Sequence, residues 1–194
     1  MSENKITAWI NVGYELLGSD GLEGMKVERL ARMLKLNKSG FYYYFGSMQS
    51  FVKGLLEHHV AIAKVISDEM ATCNNFDPDL LMVIVRHKNF FLVESHLLVG
   101  SKACAFDGDF DAASRILLPQ LLPLWRKSSG QDFEPATALA YLNMIRHFFY
   151  SRIDQAHINY EHLHNLTAET RGVLAGIRIE PRMSLSRQGQ TSSE

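Results

Sequence analysis

Apolar positions recur at helical spacing from near the start of the chain. Ile6, Ile10, Gly13, Leu16 and Leu17 fall on one face at i, i+4, i+7 and i+10/11, which predicts a helix ending in the glycine-rich stretch 18–24. Val27, Leu30, Ala31 and Leu34 predict a second, short helix, and residues 37–45 a third with Asn37 as its N-cap. Ser47 stands as the next N-cap, ahead of Phe51, Leu55, His59, Ile62 and Ile66, a stripe that predicts one long amphipathic helix to about Met70.

A second region opens at Asp77-Pro78, a cap followed by proline at the first helical position. From there Leu80, Leu81, Ile84 and Phe91 carry a helix to about Ser95. The pattern is weak over 97–106, and Pro119 and Pro123 predict a kink or break in any helix over 111–125. Leu139, Leu142, Ile145, Phe149 and Ile153 form one further stripe, and Leu163, Leu166, Val173, Leu174 and Ile177 another, predicting two long C-terminal helices. Beyond Pro181 the polar run MSLSRQGQTSSE offers little to bury and is expected to be a flexible tail. No strand-like alternation is sustained, so the expected fold is all-α. It divides into three short helices over 1–46, a larger helical unit over 47–180 and the tail over 181–194.

Composition narrows the class. The chain has 194 residues, 46% of them hydrophobic, and a net charge of −1, the profile of a globular protein able to bury its own core. Cys73 and Cys104 have no CxxC partner, so neither a disulfide framework nor a cysteine-based zinc site is expected. The first twenty residues lack the apolar run of a signal peptide, and the longest such run, Leu80 to Val85, is far short of the roughly 20 residues that span a bilayer. A cytoplasmic protein without membrane contact is the expectation.

Charge is unevenly placed. Between Lys26 and Lys53 six basic residues face a single acid, Glu28, giving +5 and leaving −6 for the rest. Such asymmetry fits a nucleic-acid-binding module joined to an acidic partner domain, and equally a solvated basic face. The third helix favours the first reading. At ~100° per residue, Phe41 and Phe45 share one side, while Ser39, Gly40 and Tyr43 project from the other, with Tyr42 and Tyr44 at the edges. Three adjacent tyrosines cannot all share a core face. Tyrosine hydroxyls reach phosphate oxygens, their rings contact thymine methyls, and a small residue early in the helix admits a groove.

With these residues in view, the stretch Trp9 to Phe51 resembles the DNA-binding domain of TetR-family transcriptional regulators. The resemblance rests on Ile10, Leu16, Leu17 and Gly21-Leu22, on Val27 and Leu30-Ala31, and above all on Phe41-Tyr42-Tyr43-Tyr44-Phe45 followed by Gly46-Ser47. It implies an all-α homodimer with an N-terminal helix-turn-helix over 1–46 and a C-terminal dimerisation and effector-binding domain. It further implies a repressor that leaves a palindromic operator when ligand binds. The DNA-contacting residues implied are Lys26, Lys38, Ser39, Gly40, Tyr42, Tyr43, Tyr44 and Ser47. The chain departs from the family pattern at Lys35, where a small corner residue is usual, at Lys26, usually threonine or serine, and in the order Ser39-Gly40. It also departs at Met48, usually lysine, so a phosphate contact there is not carried over.

The family's effector pockets vary too much to transfer residue by residue, and chemistry alone nominates candidates. Asn143, His147 and Tyr150 form a polar line at i, i+4, i+7; His59, Arg86 and His87 interrupt other apolar helices; Phe90 and Trp125 offer apolar walls. A ligand site built on His59, Arg86, Phe90, Trp125, Asn143, His147 and Tyr150 is the expectation, beside the alternative that these are exposed edges or satisfied core groups. His157, His162 and His164 lack zinc-site spacing, so no metal or other cofactor is expected. No GxSxG, GxGxxG or GxxxxGK[ST] occurs, so no enzyme is expected. The apolar stripes at Leu142, Ile145, Phe149, Leu163, Leu166 and Leu174 are expected to pair the last two helices across a two-fold axis. A helical protein–protein interaction module using the tyrosine surface is the alternative function.

Overall fold

The computed structural model describes residues 2–99, 112–130 and 133–176, all of them helix or connecting turn, with no strand among the described residues. Cys104, the predicted tail and Ile177 lie outside them, as do the side chains of Val173 and Leu174. The helices are α1 (Ser2–Asp20), α2 (Val27–Leu34), α3 (Lys38–Phe45), α4 (Met48–Met70), α5 (Leu81–Arg86), α6 (Lys88–Val99), α7 (Ala112–Ser129), α8 (Pro135–Tyr150) and α9 (Tyr160–Gly176).

Two principal hydrophobic clusters organise them, and α4 belongs to both. Its N-terminal half packs Phe51, Val52, Leu55 and Leu56 with Trp9, Leu16, Leu17, Leu30 and Phe41 of the first three helices. Its C-terminal half packs Ala63, Ile66 and Met70 with Leu80, Leu81, Ile84, Phe91, Leu117 and Leu163. Ser47 caps the helix through its Oγ, which accepts the Ser50 N–H at 3.1 Å. One rigid rod thus joins the first three helices to the rest.

The helix expected from Asp77 to Ser95 is two helices. Asp77 lies outside helical space (φ −124°, ψ 123°) and a π-helical turn over Phe76–Leu80 leads into α5. At His87 the backbone leaves the helix again (φ −101°, ψ 31°), and α6 begins. Glu69 of α4 holds this corner through an ion pair to Arg86 and a hydrogen bond from His87 Nε2. The break lets α5 bury Leu81, Val83 and Ile84 in the second cluster while α6 sends Val93 and Leu97 into the first. Periodicity alone runs through such a corner without a mark.

α7 runs unbroken through Pro119 and Pro123. The prolines are four apart and both exposed, as is Arg115 one turn before them, so the carbonyls that lose their helical N–H partners lie on the solvent side of the helix. The expected pairing stripes are also redirected. Leu142, Leu163 and Leu166 are buried in the chain's own core, and Ile145 and Phe149 pack beside them.

Candidate DNA-binding surface and internal cavity

The three N-terminal helices close around Phe41. Its ring meets Trp9 edge-on at 5.5 Å and Phe51 at 5.1 Å, while Phe45 meets Phe51 at 4.8 Å. Fixing Phe41 and Phe45 inward turns the rest of α3 outward. Tyr43 is 82% and Tyr42 54% exposed, and Ser39 is exposed beside them. Tyr44 is half-buried with its ring edge-on to Tyr43 at 5.0 Å. A Cβ built on Gly40 would meet no heavy atom within 4 Å, so nothing inside the chain demands a glycine there. Such a position allows close approach from outside.

The corner between α2 and α3 turns on Lys35, held in the left-handed region at φ 55°, ψ 39°. Glycine takes this conformation without strain, whereas a lysine here costs on the order of 1 kcal/mol. Lys26 occupies the N-cap of α2 and its side chain caps nothing. Asn37 is the N-cap of α3 by backbone geometry, again without a side-chain cap.

Of the six basic residues, two are committed internally. Arg29 pairs with Asp20, and Lys38 Nζ donates to Glu28 Oε1 at 3.0 Å. The Glu28 carboxyl sits below its ordinary pKa because of a hydrogen bond at its own backbone, with Lys38 adding to the effect. Arg32, Lys35 and Lys53 are exposed, with no ion pair among the described residues. Ser47 is exposed, but its hydroxyl is occupied with capping α4. The surface is therefore tyrosine-rich, basic and open at Gly40.

The larger helical unit holds a cavity of about 100 Å³ that is partly open to solvent. Its walls are mainly apolar, including Leu81, Phe91, Leu117, Trp125 and Phe149. One end gathers the buried polar groups Glu94, Ser114 and Tyr150 with Arg146, from α6, α7 and α8, while Ser128, Thr167, Thr170 and the exposed Arg171 line it elsewhere. There Glu94 Oε2 accepts from Ser114 Oγ at 3.0 Å and Tyr150 Oη at 3.5 Å, while Arg146 Nη2 donates to Ser114 Oγ at 2.6 Å. The Arg146 guanidinium lies 3.8 Å from the same carboxylate oxygen and 5.9 Å from the Tyr150 ring centre. Burial, reinforced by Glu94, pushes the Tyr150 hydroxyl pKa well up, so it stays a donor.

Glu94 has a second set of partners behind the cavity. Its Oε1 bonds His59 Nε2 at 2.8 Å, and His59 Nδ1 bonds Tyr14 Oη of α1 at 2.7 Å. The His59 ring stacks on Phe90 at 4.3 Å. Burial, with Glu94 nearby, raises the Tyr14 pKa as well. A continuous hydrogen-bonded chain thus runs from the cavity to the first helix.

The ligand-site candidates separate accordingly. Trp125 and Tyr150 line the cavity; His59 and Phe90 are buried behind Glu94; Arg86, Asn143 and His147 are exposed and outside the lining. The single polar line expected from Asn143, His147 and Tyr150 is divided, because only Tyr150 turns inward. The polar groups that do meet at the cavity, Glu94, Ser114 and Arg146, went unremarked in the sequence. Glu94 alone carried a signal, as an acid directly after the apolar run Phe90 to Val93. Among the described residues no group of three or more His, Cys, Asp or Glu is placed to hold a metal ion, and no helix is long and apolar enough to cross a membrane. His157 bonds Asp154 and His164 bonds Asp77, which separates those histidines.

Comparison with known proteins adds an independent observation. Residues 10–55 match the family of bacterial regulatory proteins, tetR family. A crystal structure of a protein from Rhodococcus sp., described as a TetR-family transcriptional regulator, superposes with a TM-score of 0.51 at 14% identity, covering 91% of this chain and 98% of that one. At that identity the likeness concerns the fold. No curated protein matches the chain. The N-terminal segment is a helix-turn-helix DNA-binding unit of the tetR type.

Proposed function

We propose that this chain, whose residues 10–55 are of the tetR type, is a transcriptional repressor that binds a palindromic operator as a homodimer and releases it when a small molecule fills the internal cavity. The observation that carries the reading is the outward face of α3, where Tyr43 stands 82% exposed beside Tyr42, Ser39 and the open Cβ position of Gly40. Exposing two tyrosines to water gains nothing for the fold, whereas a major groove supplies phosphate acceptors and thymine methyls to meet them. Lys26, Arg32, Lys35 and Lys53 supply exposed cationic groups around that face, and Lys38 reaches phosphate by exchanging Glu28 for it.

Dimerisation in this reading brings two α3 helices to half-sites one or more turns apart. The outer side of α8 offers the contact: Met144 is 51% exposed with Asn143 and His147 exposed beside it. The operator is tested by selecting bound duplexes from a random pool and measuring affinity against salt. A palindromic consensus and a steep loss of affinity with salt support the reading. Absence of any duplex preferred over random sequence, with salt-independent capture of a protein through the tyrosine face, favours the interaction-module alternative. Met144→Glu is expected to give monomers in sedimentation, and an intact dimer from that variant places the interface elsewhere.

A further inference from the structure

We propose that the cavity takes an uncharged, largely apolar molecule of about one aromatic ring carrying a single hydrogen-bond-accepting oxygen, that this oxygen meets Arg146, and that occupancy is passed to α1 through Ser114, Glu94, His59 and Tyr14. The inference rests on the reading of the cavity as an effector site and names the chemistry and the route of that site.

Size follows from the volume. About 100 Å³ is in the range of an apolar protein cavity that admits a benzene-sized guest. Polarity follows from the count of spoken-for atoms. Glu94 accepts from His59, Ser114 and Tyr150, and the single O–H of each hydroxyl is given to it, so neither hydroxyl has a donor left for a guest. The Arg146 guanidinium is different. It gives one N–H to Ser114 and a long one to Asn143 Oδ1 at 3.5 Å, which leaves most of its donors uncommitted on the cavity wall. The one group at this end with donors to spare is thus a cation, and a guest oxygen that accepts is matched to it. Charge follows from the sum at this end: Glu94 and Arg146 cancel, and the further lining cation, Arg171, is exposed and bonded to Ser128, so a carboxylate or an ammonium at the buried end has no opposite charge left to meet it.

The route follows from who holds whom. A guest oxygen drawing the guanidinium away from Ser114 Oγ frees the hydroxyl that positions Glu94 Oε2, and the other oxygen of the same carboxylate positions His59. His59 in turn meets Tyr14, buried in the cluster that holds Phe41 and therefore α3. Every member except Arg146 is buried, so no water stands ready to replace a lost partner.

The test uses four probes of one size: acetophenone (carbonyl), cumene (no polar atom), benzoate (anion) and benzamidine (cation). Each is titrated into the full chain without DNA while amide and indole signals are followed. The Trp125 indole reports the cavity, and the amides of residues 10–18 report α1. Acetophenone is expected to bind about fivefold more tightly than cumene, with benzoate and benzamidine at least about tenfold weaker than acetophenone. Arg146→Met is expected to erase the preference for acetophenone over cumene. Should that single change leave Glu94 unpaired and the chain unfolded, the Glu94→Gln/Arg146→Met pair removes both charges and is expected to erase it as well. Tyr14→Phe is expected to keep acetophenone affinity within about twofold while abolishing the shifts in α1. No binding of acetophenone, equal or tighter binding of a charged probe, or a preference that survives loss of the guanidinium overturns the ligand class. Undiminished α1 shifts in Tyr14→Phe overturn the route. Because no DNA is present, these outcomes stand apart from whether an operator is found.

Discussion

His59 Nε2 and Glu94 Oε1 lie 2.8 Å apart, with only 3% and 4% of the two side chains exposed. The pair ties α4 to α6 where the two principal hydrophobic clusters meet, and each member is fully partnered on its far side by Tyr14 or by Ser114 and Tyr150. A buried polar chain of this kind is costly to break at one link, because the group left behind keeps its desolvation without its partner.

Glu94→Ala and His59→Ala are accordingly expected to destabilise the fold by about 3–5 kcal/mol each, and the double variant by clearly less than the sum. Urea unfolding of the four proteins checks this. Additive losses, or single losses under about 1 kcal/mol, would mean that the two side chains do not act as a unit.

His58, the neighbour of His59, faces the Tyr14 ring edge-on at 5.1 Å. Its imidazole pKa lies below the usual 6.5 because of burial, with His59 adding to the effect. The folded chain therefore takes up its proton later than the unfolded chain as pH falls. The stability that comes from keeping His58 neutral is whole above the unfolded pKa and declines as pH drops through 6.5 toward the folded value. Lowering the pH from about 7.5 to 5.5 is expected to reduce the urea midpoint, and His58→Gln to reduce it less over the same window. Parallel curves for the two proteins would remove His58 from the account.

Lys26 stands at the N-cap of α2 in extended geometry (φ −122°, ψ 137°), where its side chain caps nothing. Lys26→Ser is expected to stabilise the chain by about 0.5–1 kcal/mol, since a serine oxygen there accepts an orphan helix N–H. The same change removes a cation from the proposed DNA face, so on that proposal affinity should fall for all sequences alike and the salt slope should shrink by about 1. A stability gain with an unchanged salt slope would place Lys26 away from phosphate.

What could be read in the sequence was whatever local periodicity and capping dictate. Leu30 with Ala31, Phe41 with Phe45, and Ser47 before Phe51 each settle an element within one or two turns, and the tetR-type resemblance of residues 10–55 follows from these same positions. The corner at His87 was not legible, because the apolar spacing continues across it and the break is held by Glu69 from another helix. The tolerance of Pro119 and Pro123 was not legible either, since it depends on both facing water. The cavity end is the clearest case. Glu94, Ser114 and Arg146 lie on three helices and look in the sequence like an ordinary acid, a small polar residue and a surface cation. Only packing brings them together.

Nothing inside the chain requires the glycine at position 40. It sits in the first turn of α3, its N–H bonded to Asn37 O at 3.0 Å, and an added Cβ would meet nothing within 4 Å. Its φ is not in the left-handed region, unlike that of Gly46 beyond the helix end. Inside the chain, then, Gly40→Ala has no steric penalty and reduces the freedom of the unfolded state, so the variant is expected to be more stable by about 0.5 kcal/mol. On DNA the expectation reverses. If the backbone at Gly40 approaches the groove beside Tyr43, a methyl group there forces the helix outward and weakens specific binding, and a larger side chain in Gly40→Leu weakens it further. Thermal unfolding and operator titration on the same two variants check both halves. Rising stability with falling affinity is the signature of a position kept open for the duplex, whereas variants that bind their operator as tightly as the parent would turn this face of α3 away from DNA.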